Sequence, residues 1–546
     1  LYPLIRSSRV GSPRSRPVLA RLTLGVLVWV ASANLSLAQA PVSAPGATAG
    51  SLPSLGETSE LAAATERRIG DRVAASIYRD PDYIDDPVLT DYVQSIWQPL
   101  VAAARTRGEL HAELDERFAW QLFLIRERSI NAFALPGGYF GVHLGLIAAV
   151  GNADEMAAVL GHELSHVTQR HISRMLTQQS RQTPWMIAAM VLGALAAGKN
   201  GDAASAAIVG GQAVAVQNQL NFSRDMEREA DRIGFGVMTD AGFESRGVTT
   251  MFEKLQQASR LNDNGSFPYL RSHPLTTERI AAAQARVQLA AAEAQKPSPE
   301  KLVEAGKARV LHAMMASRAR ILAAPGVDAL RAMVTEAQRR TTPLLLQSPA
   351  SADNVRDAGV VYAGAYAAAQ LRDFAGARTL LARLRPLVPA DTPQAAGIAD
   401  LLAVEIDLLA GVVPATAATV DISKAVSRAE VLIQARSLLA AQRAQDVSSR
   451  LQTWVAAHPK DATAWQLLAV AYGNQNQSVR AIRADAESRA AQLDYPAALD
   501  RFKAAQALMR SNPGSADYVE GSILDTRTRQ TESLIKEQAL QDKVDH

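Results

Sequence analysis

Two histidines four residues apart, His162 and His166, with Glu163 beside the first, constrain this chain more than any other feature. Helical residues four apart differ by about 40° around the axis and about 6 Å along it, so both imidazoles share one face and can grip one ion. Glu163 lies where its carboxylate can take a proton from water at such an ion. Independent signals make the segment a helix. Asn152 followed by Glu155 is a capping-box pattern, and Met156, Val159 and Leu160 supply an apolar face. The helix is predicted from Asn152 through Ser173. Imidazole and carboxylate ligands suit zinc, one ion per chain.

Two histidines leave a zinc site one ligand short. Continuation as x-x-Gly-x-x-His is ruled out, because Gln169 and Ile172 hold the two key positions. His171 is off that spacing and is expected to be exposed. The best remaining donor is Glu227-Arg228-Glu229-Ala230-Asp231, on a helix predicted from Ser223 to Thr239. Glu227 and Asp231 share a face, so one can bind metal while the other orients an imidazole. Glu229 faces elsewhere. His111, His143 and His312 lack ligand-spaced partners and read as surface or packing residues.

The rest of the chain suits a large, mostly helical protein. It is 48% apolar, 20% charged and only 5% aromatic, with long stretches free of Gly and Pro. The absence of cysteine excludes disulfide frameworks, thiolate metal sites and cysteine nucleophiles. Residues 1–40 have the form of a cleaved secretory signal peptide: Arg6, Arg9, Arg14, Arg16 and Arg21, an apolar run from Leu22 to Leu37, then Ala38-Gln39-Ala40. Removing those five Arg takes the formal charge from +3 to about −2, so the basic balance belongs to the leader and nothing favours nucleic acid as a partner. Residues 41–56 read as a flexible linker.

Short strands are expected at Phe118–Ile125 and within Ile130–Gly141, with a turn at Pro136-Gly137-Gly138. The apolar run Trp185–Gly198 is short for a membrane span and reads as a buried or cleft-covering helix. Lys296-Pro297-Ser298-Pro299 marks a boundary, placing one domain at 57–296 and a second at 300–546. Beyond it, Asp373-Phe374-Ala375-Gly376-Ala377 is echoed by Asp494-Tyr495-Pro496-Ala497-Ala498. In one frame Ala486, Ala498, Phe502 and Ala505 take the small and apolar positions of a helix pair; in the other Ala365, Ala377, Leu381 and Leu384 do. These units resemble tetratricopeptide repeats.

Four ordered motifs carry a family resemblance over about residues 60–290. They are Asn131-Ala132-Phe133-Ala134-Leu135-Pro136-Gly137-Gly138, the His162–His166 motif, Glu227-x-x-x-Asp231, and Ser272-His273-Pro274 with Arg279 six residues past the His. Together they resemble the zinc endopeptidases that include HtpX and the CAAX prenyl proteases. The resemblance implies a zincin-like α+β domain, mainly α with a small β-sheet, followed by tetratricopeptide-like helices. His162, His166 and Glu227 would bind zinc, Glu163 would be the general base, and Asp231 would support the ligands. His273 and Arg279 would either hold the site latent or steady the reacting carbonyl. The strand Asn131, Ala132, Phe133, Ala134 and Leu135 would take extended substrate by strand addition.

The resemblance further implies an enzyme in the periplasm of a Gram-negative bacterium, with peripheral membrane association. It would cleave unfolded or misassembled envelope proteins, outer-membrane β-barrel precursors above all, and dock on the β-barrel assembly machinery. The alternative is a periplasmic chaperone or scaffold that works through its helices and keeps a latent or structural zinc site.

Overall fold

The computed structural model describes residues 62–178, 224–261, 268–293, 299–340, 351–388, 392–511 and 517–544. The leader, the linker, the Trp185–Gly198 run and the glycines Gly201, Gly210 and Gly211 lie outside the described residues. The first half contains α1 (Ala63–Arg79), β1 (Tyr83–Ile84), α2 (Pro87–Thr106), α3 (Ala112–Arg117), β2 (Gln121–Ile125), β3 (Ala132–Leu135), β4 (Tyr139–His143) and α4 (Leu144–Ala149). It continues with α5 (Ala153–Thr168), α6 (His171–Gln178), α7 (Arg224–Asp240), α8 (Arg246–Leu261), α9 (Pro268–Ser272) and α10 (Thr277–Glu293).

The four strands make one sheet in the order β1-β2-β4-β3, with β2 and β4 parallel and the outer pairs antiparallel. β3 is therefore an edge. It returns to β4 through Gly137 and Gly138, whose φ values of 74° and 78° need glycine. A Cβ on Gly137 would also stand 2.7 Å from the Arg67 backbone. Because the His143 amide donates to the Asn131 carbonyl, residues 131, 133 and 135 face β4. The backbone groups of Ala132 and Ala134 point to the free edge.

The strand expected at Phe118–Ile125 starts later, at Gln121. Phe118 instead closes α3, its amide bonded to the Leu114 carbonyl. The Asn152 cap forms, its side chain accepting from the Glu155 amide at 2.9 Å. Glu155 itself takes the Gly151 amide and Lys254 rather than the Asn152 amide. The predicted helix to Ser173 breaks in two. Arg170 adopts a left-handed φ of 54°, and its guanidinium meets buried Glu66 of α1 at 3.1 Å. That contact offsets a cost of about 1–2 kcal/mol for a non-glycine residue in this region.

Beyond Lys296 every described segment is helical or connecting. Helix Pro299–Leu322 packs on α4, and one continuous apolar core runs from Ala63 through the sheet to Ile433. Buried residues on both sides of Lys296 thus share one apolar core. Two adjacent acids before α2 join the halves further. Asp86 holds buried Arg318 at 2.6 and 2.8 Å, and Asp85 holds Arg428 at 2.7 Å through both oxygens. At the far end Ala486, Ala498, Phe502 and Ala505 are fully buried, as is Leu524 from helix Tyr518–Val544. Ala365, Ala377, Leu381 and Leu384 are buried likewise. Among the described residues no helix is long and apolar enough to cross a membrane.

Candidate active site

The motif helix α5 crosses α7 where Gly161 meets Gly234. A Cβ on Gly234 would stand 2.9 Å from the Gly161 carbonyl carbon and the His162 amide, so only bare backbone permits this approach. The close crossing sets Glu227 and Asp231 opposite the two histidines. Nε2 of His162 and Nε2 of His166 are 3.0 Å apart. Glu227 lies 3.5 Å from the first through Oε2 and 3.4 Å from the second through Oε1. From the turn after α9, His273 brings Nδ1 to 2.8 Å from Glu227 and 3.4 Å from His162. One donor atom from each of His162, His166, Glu227 and His273 falls within 4.8 Å of the others, and all four residues are buried.

Three of the four ligand candidates, His162, His166 and Glu227, have a partner behind them. Asp231 accepts from Nδ1 of His162 at 3.0 Å, which leaves Nε2 to face the cluster. Arg279 grips Asp231 through two bonds of 2.7 and 2.8 Å and reaches Glu227 at 2.6 Å. Its side chain is 4% exposed and also bonds the Pro274 carbonyl. Arg279 is therefore committed to the acids rather than pointed at open space.

His171, expected to be exposed, is fully buried. The chain reversal at Arg170 folds α6 back and brings Nδ1 of His171 to 2.8 Å from Nδ1 of His166. Glu229 meets His171 Nε2 at 3.0 Å and Arg174 at 2.7 Å. His143 and His312 are packing residues: His143 bonds Ser129, and His312 bonds Tyr92 and the Val150 carbonyl.

The site's electrostatics follow from burying many ionisable groups together. Burial opposes charge on His162, but Asp231 and Glu227 outweigh it and lift its pKa to about 10. Burial drives His166 well below the ordinary histidine range. Against the cost of its own burial, His273 and His162 hold Glu227 far below the usual carboxylate range. His162 and Arg279 lower Asp231 to about 2, again against desolvation. Glu163 differs: burial pushes it up, opposed by His273, His162 and the Ala134 amide. Both its oxygens are buried without a hydrogen bond of normal geometry. A buried carboxylate with raised pKa, at the meeting of edge strand and imidazoles, is suited to taking and returning a proton.

These residues fit a metal ion. Three imidazoles and one carboxylate converge, the donor set of a divalent transition ion. Cation binding there would displace the proton that the acids hold on His162.

Sequence reasoning missed three parts of this arrangement: the crossing glycines, the destination of Arg279, and the His171–Glu229–Arg174 group. Gly161 immediately before the motif and Gly234 soon after Asp231 were the available signals for the first. Arg170 gives no sign of a helix break, since left-handed backbone is rare for arginine.

Comparison with known proteins agrees with this geometry. Residues 88–287 match the model of peptidase family M48. The chain is 29% identical over 461 residues to the beta-barrel assembly-enhancing protease of Yersinia pestis, covering 82% of this chain and 87% of that one. It is 33% identical over 241 residues to the protein of that name in Escherichia coli, covering 44% of this chain and 47% of the relative, about half its length. A mitochondrial metalloendopeptidase OMA1 of Arabidopsis thaliana is 32% identical over 198 residues, 36% of each chain. The stretch that builds the crossed helices, the edge strand and the histidine cluster is the part of the chain that matches peptidase family M48.

Proposed function

We propose that this chain is a zinc metalloendopeptidase of the Gram-negative periplasm that cleaves misfolded or misassembled envelope proteins, outer-membrane β-barrel precursors in particular. The observation that carries the reading is the position of Glu163, buried between the Ala134 amide on the edge strand and the His162–His166–Glu227–His273 cluster. His162, His166 and Glu227 would hold one zinc per chain. When bound, zinc supplies Lewis acidity, polarising a carbonyl and lowering the pKa of water to about 7.

The chain's own groups do the rest. Ala132 and Ala134 turn backbone groups to the sheet edge, where an extended substrate would pair with little dependence on side chains, beside the Ala134 amide that faces Glu163. Glu163 accepts the proton of the attacking water and delivers it to the leaving amine. Asp231 keeps the His162 proton on Nδ1, and Arg279 supports both acids rather than the substrate carbonyl. His273, inside the cluster, would hold the resting enzyme latent and withdraw on activation.

The envelope location is supported by the signal-like leader and by what the bacterial relatives' names describe. The C-terminal helices, with their buried small positions, would recruit substrate and dock on the β-barrel assembly machinery. The test is zinc per chain in the purified protein, wild type beside Glu227→Gln, with cleavage of an unfolded β-barrel precursor followed in parallel. One zinc and cleavage, both lost in the variant, is the expected result. Wild-type protein without zinc would overturn the reading and leave the scaffold alternative.

A further inference from the structure

Behind His166 lies a buried group with no task in the reaction above. We propose that His171 is a positioning residue: its Nδ1 accepts a hydrogen bond from Nδ1–H of His166 and its Nε2–H donates to Glu229, so that the Nε2 lone pair of His166 faces the cluster. This inference rests on the metal site just proposed.

The contacts set the direction of the relay. Two imidazole nitrogens 2.8 Å apart must pair as one donor and one acceptor. A carboxylate can only accept, so Glu229 Oε2, 3.0 Å from His171 Nε2, calls for the proton on that nitrogen. Arg174 already neutralises Glu229 at 2.7 Å, which disfavours a second cation beside it. A neutral His171 protonated at Nε2 presents a lone pair at Nδ1. His166 must then donate from Nδ1, which frees its Nε2 toward Glu227 and His162.

The two metal-facing histidines are thus oriented by different devices. His162 leans directly on a carboxylate, Asp231, whereas His166 leans on a second imidazole that leans on one. The device exists only because the chain reverses at Arg170, since a helix continued through Ser173 would carry His171 away from His166.

The experiment is zinc affinity of the full chain at neutral pH, measured by competition with a chromogenic chelator, with thermal melting as the folding control. His171→Phe keeps a ring but removes the acceptor, and should weaken zinc about 10- to 100-fold. His171→Asn places a carboxamide oxygen near the lost Nδ1 and should stay within about threefold of wild type. Wild-type affinity in the Phe variant overturns the relay, and so does equal weakening in both, which would mark a packing role. Should the Phe variant fail to fold, Glu229→Ala decides at a partly exposed position. A loss of about three- to tenfold supports the relay, and no loss overturns it. Wild-type protein that binds no zinc overturns the metal site and the relay together, whereas zinc in the wild type with unaltered variants overturns the relay alone.

Discussion

The two halves of the molecule bring their helices together by different means. In the half that matches family M48, α5 and α7 touch through bare backbone at Gly161 and Gly234, and charged groups are buried on one side of that contact. In the C-terminal helices the contacts are alanines around a large side chain: Ala486, Ala498 and Ala505 surround Phe502, and ion pairs such as Arg527–Glu487 are partly exposed. Apolar packing is non-directional and tolerates small sliding of one helix on another. A glycine crossing with a buried network of hydrogen bonds does not, because each group left unpaired carries its full desolvation cost. Orientation is fixed tightly where four donor atoms must converge within 4.8 Å, and less tightly where a surface is presented.

That contrast can be tested by perturbing each half and reading both stability and metal. The largest effect should come from Glu163→Gln, which removes a proton acceptor while keeping shape. Cleavage should fall by about 10²- to 10⁴-fold with zinc content and melting temperature unchanged. Cleavage that persists would remove Glu163 from the role of base. Next, Phe502→Ala should cost about 3–5 kcal/mol as the fully buried ring is deleted, with zinc affinity of the folded protein unaltered. Gly234→Ala should do the reverse. Overpacking at the crossing should cost only about 1–3 kcal/mol, yet weaken zinc at least about tenfold, because the helices can separate only by pulling Glu227 from the histidines. Denaturant melts beside chelator titrations of both variants would decide. If Phe502→Ala lowered zinc affinity as much as Gly234→Ala, the halves would not differ in the way described.

Much of the site was legible in the sequence because its parts are local. The His162–His166 spacing, the Asn152 cap, the Glu227–Asp231 pair and the Gly137-Gly138 turn each follow from a few neighbouring residues and a known period. The hidden parts depend on where distant segments meet. His171 could be placed only by knowing that Arg170, a residue with no turn preference, is held in left-handed backbone by Glu66 from α1. Arg318 is buried between Asp86 and Glu405, both far away in the chain, and no neighbouring residue signals that pairing. Packing on either side of Lys296 is likewise set by distant segments. Proline-rich composition marks a connection, but whether the flanking helices share a core depends on their faces, and helix Pro299–Leu322 packs back on α4.

The smallest expected effect concerns the joint between the halves. Arg428 bridges Asp85, before α2, and Asp461 of the helical half, with side chains 17%, 23% and 5% exposed. Burial would raise the pKa of Asp85, but hydrogen bonds and charge from Arg428 outweigh it and hold the carboxyl below its ordinary value. A group depressed in the folded state stabilises above its unfolded pKa, here about 3.9, and loses that contribution as pH falls through the folded value. Arg428→Met should therefore cost about 1 kcal/mol at pH 7, since a partly exposed ion pair is screened by solvent. The gap between wild type and variant should stay level down to about pH 4 and close below it. Melting curves across that range would show it. A gap that stays constant to pH 2 would mean that Arg428 acts through packing of its stem, and the joint would then resemble the alanine contacts of the C-terminal helices more than the charged crossing at the site.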